Sequence, residues 1–137
     1  MSLLYLLDTN VASEATRPSP RELVLQKINR YDGQLAIASV VWHELRYGLE
    51  LLPRSHRRDR LERYLNDDVL AKMSILDYDD DAAEWHARER ARLTVRGQTP
   101  TFADGQIAAI AAVHNLTLVT FNVEDFSRFE GLRVESW

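Results

Sequence analysis

Cysteine is absent from the 137-residue chain, which excludes disulfide frameworks, thiol nucleophiles, Cys-based zinc sites and iron–sulfur clusters and suits a reducing cytoplasm. Lysine is nearly absent too. Lys27 and Lys72 stand alone, so the basic residues are otherwise arginine, the side chain suited to bidentate pairing with carboxylate or phosphate. No apolar run approaches the roughly 20 residues that a bilayer span needs. The longest near the N-terminus, Leu3 to Leu7, stops at Asp8, so neither a signal peptide nor a membrane anchor is expected. Positive charge is in short supply: 17 Lys+Arg face 21 Asp+Glu, a formal net charge of −4. The chain as a whole therefore lacks a general nucleic-acid binder's basic footprint, and any such site must be local. What is present, 45% hydrophobic residues with only five glycines and four prolines, suits a single domain over 1–137 whose core needs neither disulfide nor structural metal.

Leu3-Leu4-Tyr5-Leu6-Leu7 is too short for a helix and reads as a strand buried on both faces. A helix is predicted over Pro20 to Tyr31 and is stopped by Asp32-Gly33; a second strand follows at Leu35 to Ala38. Ser39 is placed as the cap of a helix from about Val40 to Leu52, whose stripe is Val41, Leu45, Leu49 and Leu52. Further helices are predicted over Arg54 to Asn66, Asp79 to Arg96 and Thr101 to Val113, with strands at Met73 to Leu76 and Leu116 to Thr120. Phe126 to Phe129 reads as a helical turn and Leu132 to Val134 as an edge strand. Strands alternating with helices imply an α/β fold with a mostly parallel sheet covered on both faces. In such sheets, sites form at the carboxyl ends of the strands.

Four acids map to that edge. Asp8 closes the first strand, Glu44 lies early in the helix after the second, Asp104 opens the helix leading to the fourth, and Asp125 follows the fourth. Each also has a simpler explanation. Asp8 suits the cap of a turn at Thr9-Asn10, Glu44 an early-helix acid favoured by the macrodipole, Asp104 a capping box begun by Thr101, and Asp125 an N-cap. Their common mapping to one edge favours the collective reading, because converging carboxylates repel and a divalent cation keeps them ionised together. Oxygen-only ligands point to Mg²⁺ or Mn²⁺ rather than zinc.

The segments Leu-Leu-Asp8-Thr9-Asn10-Val, His43-Glu44-Leu45 with Gly48, Ala103-Asp104-Gly-Gln-Ile107-Ala108-Ala109 and Leu-Val-Thr120-Phe-Asn122-Val-Glu-Asp125-Phe126 resemble, in order, the four acidic motifs of PIN domains. The resemblance covers essentially the whole chain and is nearest to the VapC and FitB-like toxins of type II toxin–antitoxin systems. It implies a PIN-like three-layer α/β/α domain with a central, mostly parallel sheet, and a Mg²⁺- or Mn²⁺-dependent ribonuclease. By the same resemblance Asp8, Glu44, Asp104 and Asp125 correspond to the catalytic, metal-binding quartet, and Thr9 and Asn122 to polar residues that support it. The implied partners are an RNA substrate, a cognate antitoxin protein and a second toxin chain in a homodimer or larger assembly, in the cytoplasm and away from membranes. Two positions depart from the pattern. Many relatives carry Arg where this chain has Phe121, so a positive group near the scissile phosphate is either missing or supplied from elsewhere; Gly105 stands where Ala is frequent, which should only loosen the helix slightly.

The one basic cluster runs from Arg54 to Arg63, diluted by Asp59 and Glu62. Read simply, it is a solvated helix face, but helical spacing puts Arg54, Arg57 and Arg58 in one sector with Leu61 and Leu65, as an Arg- and Leu-containing groove requires. In relatives this region helps receive the antitoxin, and arginines there could also guide RNA phosphates. His43, His56, His86 and His114 fall in predicted helices without a matched nucleophile and read as structural or surface residues, and Trp42, Trp85 and Trp137 as core or interface. Tyr47 with Gly48 suggests a close helix contact. Rival readings are a haloacid-dehalogenase-like phosphatase, weakened by Asn10 where the second acid belongs, a response-regulator receiver domain, weakened by the missing lysine, and a non-catalytic PIN-like binding module, which the intact quartet argues against.

Overall fold

The computed structural model describes residues 2–137. Five short strands, β1 (Tyr5–Leu7), β2 (Leu35–Ala38), β3 (Ser74–Leu76), β4 (Thr117–Val119) and β5 (Arg133–Glu135), form one sheet in the order β3-β2-β1-β4-β5. Every neighbouring pair is parallel. The first strand is central. Leu6 pairs with Ala36 on one side and Leu118 on the other, and Leu6, Leu7 and all of β2 are buried, which is why these runs lack the alternation of a half-exposed strand.

Helices α1 (Thr9–Ala12), α2 (Glu22–Arg30), α3 (Ser39–Glu50), α4 (His56–Tyr64), α5 (Asp80–Val95), α6 (Phe102–Val113) and α7 (Val123–Phe126) connect and flank the strands. Asp79 caps α5 by accepting from Ala82 N at 2.9 Å, and Gly97, at φ 71°, ends it, the left-handed conformation that glycine adopts without a Cβ penalty. Tyr31 at the end of α2 meets Tyr5 of β1 edge-on at 4.9 Å and stacks on Trp137 at 5.9 Å. That trio holds α2 against the sheet. Among the described residues no helix is long and apolar enough to cross a membrane.

Several expectations need correction. Ser39 is the first residue inside α3 rather than its cap, and Ala38 takes the cap position without a side-chain bond. The last helical turn lies at Val123–Phe126, three residues before its expected start at Phe126, because Asn122 rather than the phenylalanine pair sets its beginning. The basic helix begins at His56 behind a Ser55 cap and then widens into a π-helical turn over Leu65–Leu70, which keeps Leu65 and Val69 buried. Leu65 is therefore core and not part of an exposed groove. Arg58 is also spoken for: its Nη1 donates to the carbonyls of Leu49 at 3.0 Å and Leu52 at 2.7 Å, at the end of α3. Gly48 is exposed and open, with nothing within 4 Å of where a Cβ would stand, so no close helix contact forms there.

Gly105 has the opposite character. A Cβ built on it would meet His86 Nε2 at 2.0 Å, so the glycine does not merely loosen α6: it makes room for an imidazole from α5. His86 is 2% exposed, its Nδ1 pairs with the Tyr78 hydroxyl at 2.8 Å, and its Nε2 has no partner. Burial, helped by the charge of Arg90, holds its pKa below the ordinary value. The unfolded chain thus takes up a proton more readily than the folded one, so this part of the stability is complete above the ordinary histidine pKa of about 6.5 and is lost as pH falls through it. The fall in melting temperature from about pH 7 to about pH 5 should accordingly be steeper for the native protein than for His86→Gln. Parallel melting curves in differential scanning fluorimetry would count against a neutral buried imidazole.

Candidate active site

Strand β1 runs towards the point where the strand order reverses, with β2 and β3 added on one side and β4 and β5 on the other. A crevice opens at such a switch point, outside the carboxyl ends of the strands. Asp8 occupies it. Its backbone N–H extends the ladder to Val119 O at 2.9 Å; its Oδ1 accepts from Thr9 N at 2.8 Å and its Oδ2 from the Thr120 hydroxyl at 2.8 Å. The turn-capping role and membership of the acidic group therefore coexist in one side chain. Thr120 is fully buried and accepts in turn from Asn122 N at 3.0 Å, so the β4 end fixes the Asp8 carboxylate plane.

The other acids come from three further elements. Glu44, in the second turn of α3, accepts a hydrogen bond from the Thr9 hydroxyl. Asp104 sits in the first turn of α6, where Thr101 accepts from its backbone N–H at 3.2 Å, the first half of a capping box. Asp125 is the third residue of α7, not its cap; its Oδ2 accepts from Asn122 Nδ2 at 2.8 Å and its Oδ1 lies 3.8 Å from Arg128. Asp104 and Asp125 line a cleft of about 130 Å³ together with Arg128 and Phe129.

Burial, followed by repulsion from Asp8, Asp125 and Glu44, raises the pKa of Asp104, and its hydrogen bond with Thr101 only partly offsets this. The four carboxylates thus share one electrostatic environment. Among the described residues Asp8, Glu44 and Asp104 have no arginine or lysine within ion-pair distance. Unneutralised oxygen donors of this kind fit a hard divalent cation. Their spacing is open: among the described residues only Asp79, Asp80 and Asp81 bring three carboxylate oxygens within 4.8 Å of one another, and those exposed residues are accounted for as the cap and first turn of α5.

Two contributors escaped the sequence reading. Thr120 stands within the fourth acidic motif, but only the paired ends of β1 and β4 reveal that its hydroxyl serves Asp8. Glu14 is fully buried and accepts from Arg21 N at 3.3 Å and Arg17 Nη1 at 3.4 Å; no periodicity marks it, since it lies in a 3₁₀ turn, Glu14–Thr16. Thr120→Val keeps shape and removes the hydroxyl. It should lower metal-dependent turnover about 10-fold to 100-fold, the usual cost of losing a partner that orients a ligand. Turnover equal to the native protein's would show that Asp8 needs no such support.

The chain is similar to known proteins over nearly its whole length. The PIN domain family model matches residues 5–132. The chain is 33% identical to Ribonuclease VapC2 of Haemophilus influenzae over 135 residues, covering 98% of both. It is 35% identical to Toxin FitB of Neisseria gonorrhoeae over 128 residues, covering 90% of this chain and 91% of that one. In structure it is similar to a chain of the DNA-bound VapBC crystal structure from Salmonella typhimurium, with TM-score 0.85, 30% identity and 98% of each chain covered. The sheet order, the switch-point crevice and the full-length match have one reading: the chain belongs to the PIN-domain family and, within it, to the VapC-like ribonuclease toxins.

Proposed function

We propose that this chain cleaves RNA phosphodiester bonds as a Mg²⁺- or Mn²⁺-dependent endoribonuclease, the toxin of a toxin–antitoxin pair, with Asp8, Glu44, Asp104 and Asp125 as its metal-binding quartet. The carrying observation is an Asp8 held from both sides at the end of β1, linked to Glu44 through Thr9 and to Asp125 through Thr120 and Asn122, in a chain that the PIN domain family model matches over residues 5–132. Asp8, Glu44, Asp104 and Asp125 would hold a divalent ion, which when bound would supply charge neutralisation at the phosphodiester and activation of water for in-line attack. The chain's own residues prepare for it. Thr9 and Thr120 aim Glu44 and Asp8, and Asn122 aims Asp125, so the oxygens are in place before substrate arrives. No histidine is required as base; the buried His86 is paired with the Tyr78 hydroxyl.

The antitoxin belongs to the same proposal. A groove of about 680 Å³ runs between α4 and the turn after Glu14, lined by Arg57, Arg60 and Leu61 with Arg17 and Pro18. Its mixture of arginine and apolar surface suits an acidic, amphipathic segment of a partner. Arg57 and Leu61 line this groove, and Arg54 borders a neighbouring shallow depression. Self-association into a homodimer completes the family's partner set.

The test is cleavage of a panel of structured RNAs by the partner-free protein in Mg²⁺, in Mn²⁺ and with EDTA. Cutting with either metal and none with EDTA is the expected result. Cutting that persists in EDTA would overturn the metal assignment, and metal binding without cleavage of any RNA would favour the non-catalytic module.

A further inference from the structure

An acidic pocket that handles RNA faces a charge problem. Its substrate is a polyanion, its own rim carries four carboxylates, and the chain's net charge is −4, so a cation must meet the incoming phosphate. Arg128 is near but stands 3.8 Å from Asp125. A different arginine is free for the task. The Arg21 guanidinium lies over the ring of Phe121, 4.2 Å from its centroid. Phe121 in turn lies between Thr120, whose hydroxyl holds Asp8, and Asn122, whose amide holds Asp125. Phe121 thus belongs to the short segment after β4 that carries both of these supports.

The backbone beneath Arg21 is tied down. Its N–H donates to Glu14, a fully buried carboxylate that also pairs with Arg17. The guanidinium itself is left exposed, with no carboxylate within 4.0 Å among the described residues. Seated over an aromatic ring and without an ion-pair partner among the described residues, the guanidinium keeps its N–H donors for a phosphate, which arginine can bind in bidentate fashion.

We propose that Arg21, held by stacking on Phe121, is a phosphate-binding residue that receives the RNA backbone at the rim of the acidic pocket. The proposal rests on the ribonuclease reading above. It also gives Phe121 a function: the aromatic ring seats a charge that arrives from the start of α2, a hundred residues earlier in the chain.

The test is the binding of a fluorescent single-stranded RNA, followed by anisotropy in EDTA so that no metal-dependent turnover intervenes, at several salt concentrations. Native protein, Arg21→Gln, Arg21→Lys, Phe121→Leu and Arg30→Gln are compared. Arg30 lies at the far end of α2, next to Tyr31, and serves as the charge-matched control. Arg21→Gln should weaken binding about 10-fold and reduce the slope of log affinity against log salt by about 0.7, the share of one phosphate contact on a single strand. Arg21→Lys should restore the slope but not the affinity, since a point charge replaces the fork. Phe121→Leu should weaken binding severalfold at unchanged slope, and Arg30→Gln should match the native protein. Equal affinity and slope for Arg21→Gln and the native protein would overturn the proposal and leave the ribonuclease reading standing. RNA binding absent from the native protein, together with no cleavage in Mg²⁺ or Mn²⁺, would overturn both.

Discussion

Asp8→Asn should give a folded protein whose cleavage of RNA in Mg²⁺ or Mn²⁺ has fallen by at least about 100-fold, the scale on which removal of one preorganised electrostatic group acts. The fold should survive because an amide at this position still accepts from Thr9 N and still meets the Thr120 hydroxyl. The charge is lost and the shape retained. Asp104→Asn should match that loss while changing stability in the opposite sense. With its folded-state pKa raised by burial and by its three acidic neighbours, Asp104 binds a proton more readily in the folded chain. Its ionisation therefore subtracts stability as pH rises from the ordinary carboxylate value through the raised folded value. At neutral pH the metal-free Asp104→Asn protein should melt higher than the native one, and added Mn²⁺ should shift the native melting temperature more than the variant's. Undiminished turnover in either variant would remove the quartet from the chemistry. A lower melting temperature for metal-free Asp104→Asn would show that its carboxylate is structural.

Gly105→Ala should destabilise the protein by about 1–3 kcal/mol, the range for overpacking a filled core. Helix propensity alone points the other way, favouring alanine by about 1 kcal/mol. The clash decides. The added methyl would lie 2.0, 2.5 and 2.9 Å from three atoms of the His86 ring, and that ring cannot swing aside: Tyr78 holds Nδ1 and Phe102 packs at 4.9 Å. Because Gly105 follows Asp104 directly, any shift of α6 away from α5 also displaces a carboxylate of the quartet, so cleavage should decline with stability. In a His86→Ala background the sign should reverse, since the methyl then fills the space the imidazole leaves. Melting of the four proteins of this cycle measures the coupling, expected in the range of about 0.5–3 kcal/mol for residues in contact. Additive effects would mean that His86 relaxes without cost.

Elements defined by local pattern were readable from the chain alone. Unbroken apolar runs announced β1 and β2, and the Asp79 cap with Gly97 bounded α5 within a residue. The four acids could be assigned to one sheet edge because parallel strands bring their carboxyl ends together whatever the details of packing. Pairings across long separations left no such trace. Nothing near Thr120 signals a bond to Asp8, nothing near Gly105 signals an imidazole from α5, and nothing near Phe121 signals Arg21. Each is a tertiary fact about which side chains a finished fold places face to face. The basic helix failed for a related reason: helical spacing put Leu65 in one sector with three arginines, but the turn widens there and carries Leu65 into the core.

The central position of β1 also has a consequence for the order in which this protein becomes dangerous. Asp8 is made almost first, yet the hydroxyl that orients it lies 112 residues further on, and Asp125 follows later still. A nascent chain extended only through β3 carries Asp8 and Glu44, but neither the strand that completes the crevice nor the other two acids. Parallel pairing of this span is slow to close, because the loop entropy must be met before any contact rewards it. A ribonuclease built this way has no assembled pocket through most of its own synthesis, while it is surrounded by RNA, and acquires one only when β4 docks beside the strand that began the chain.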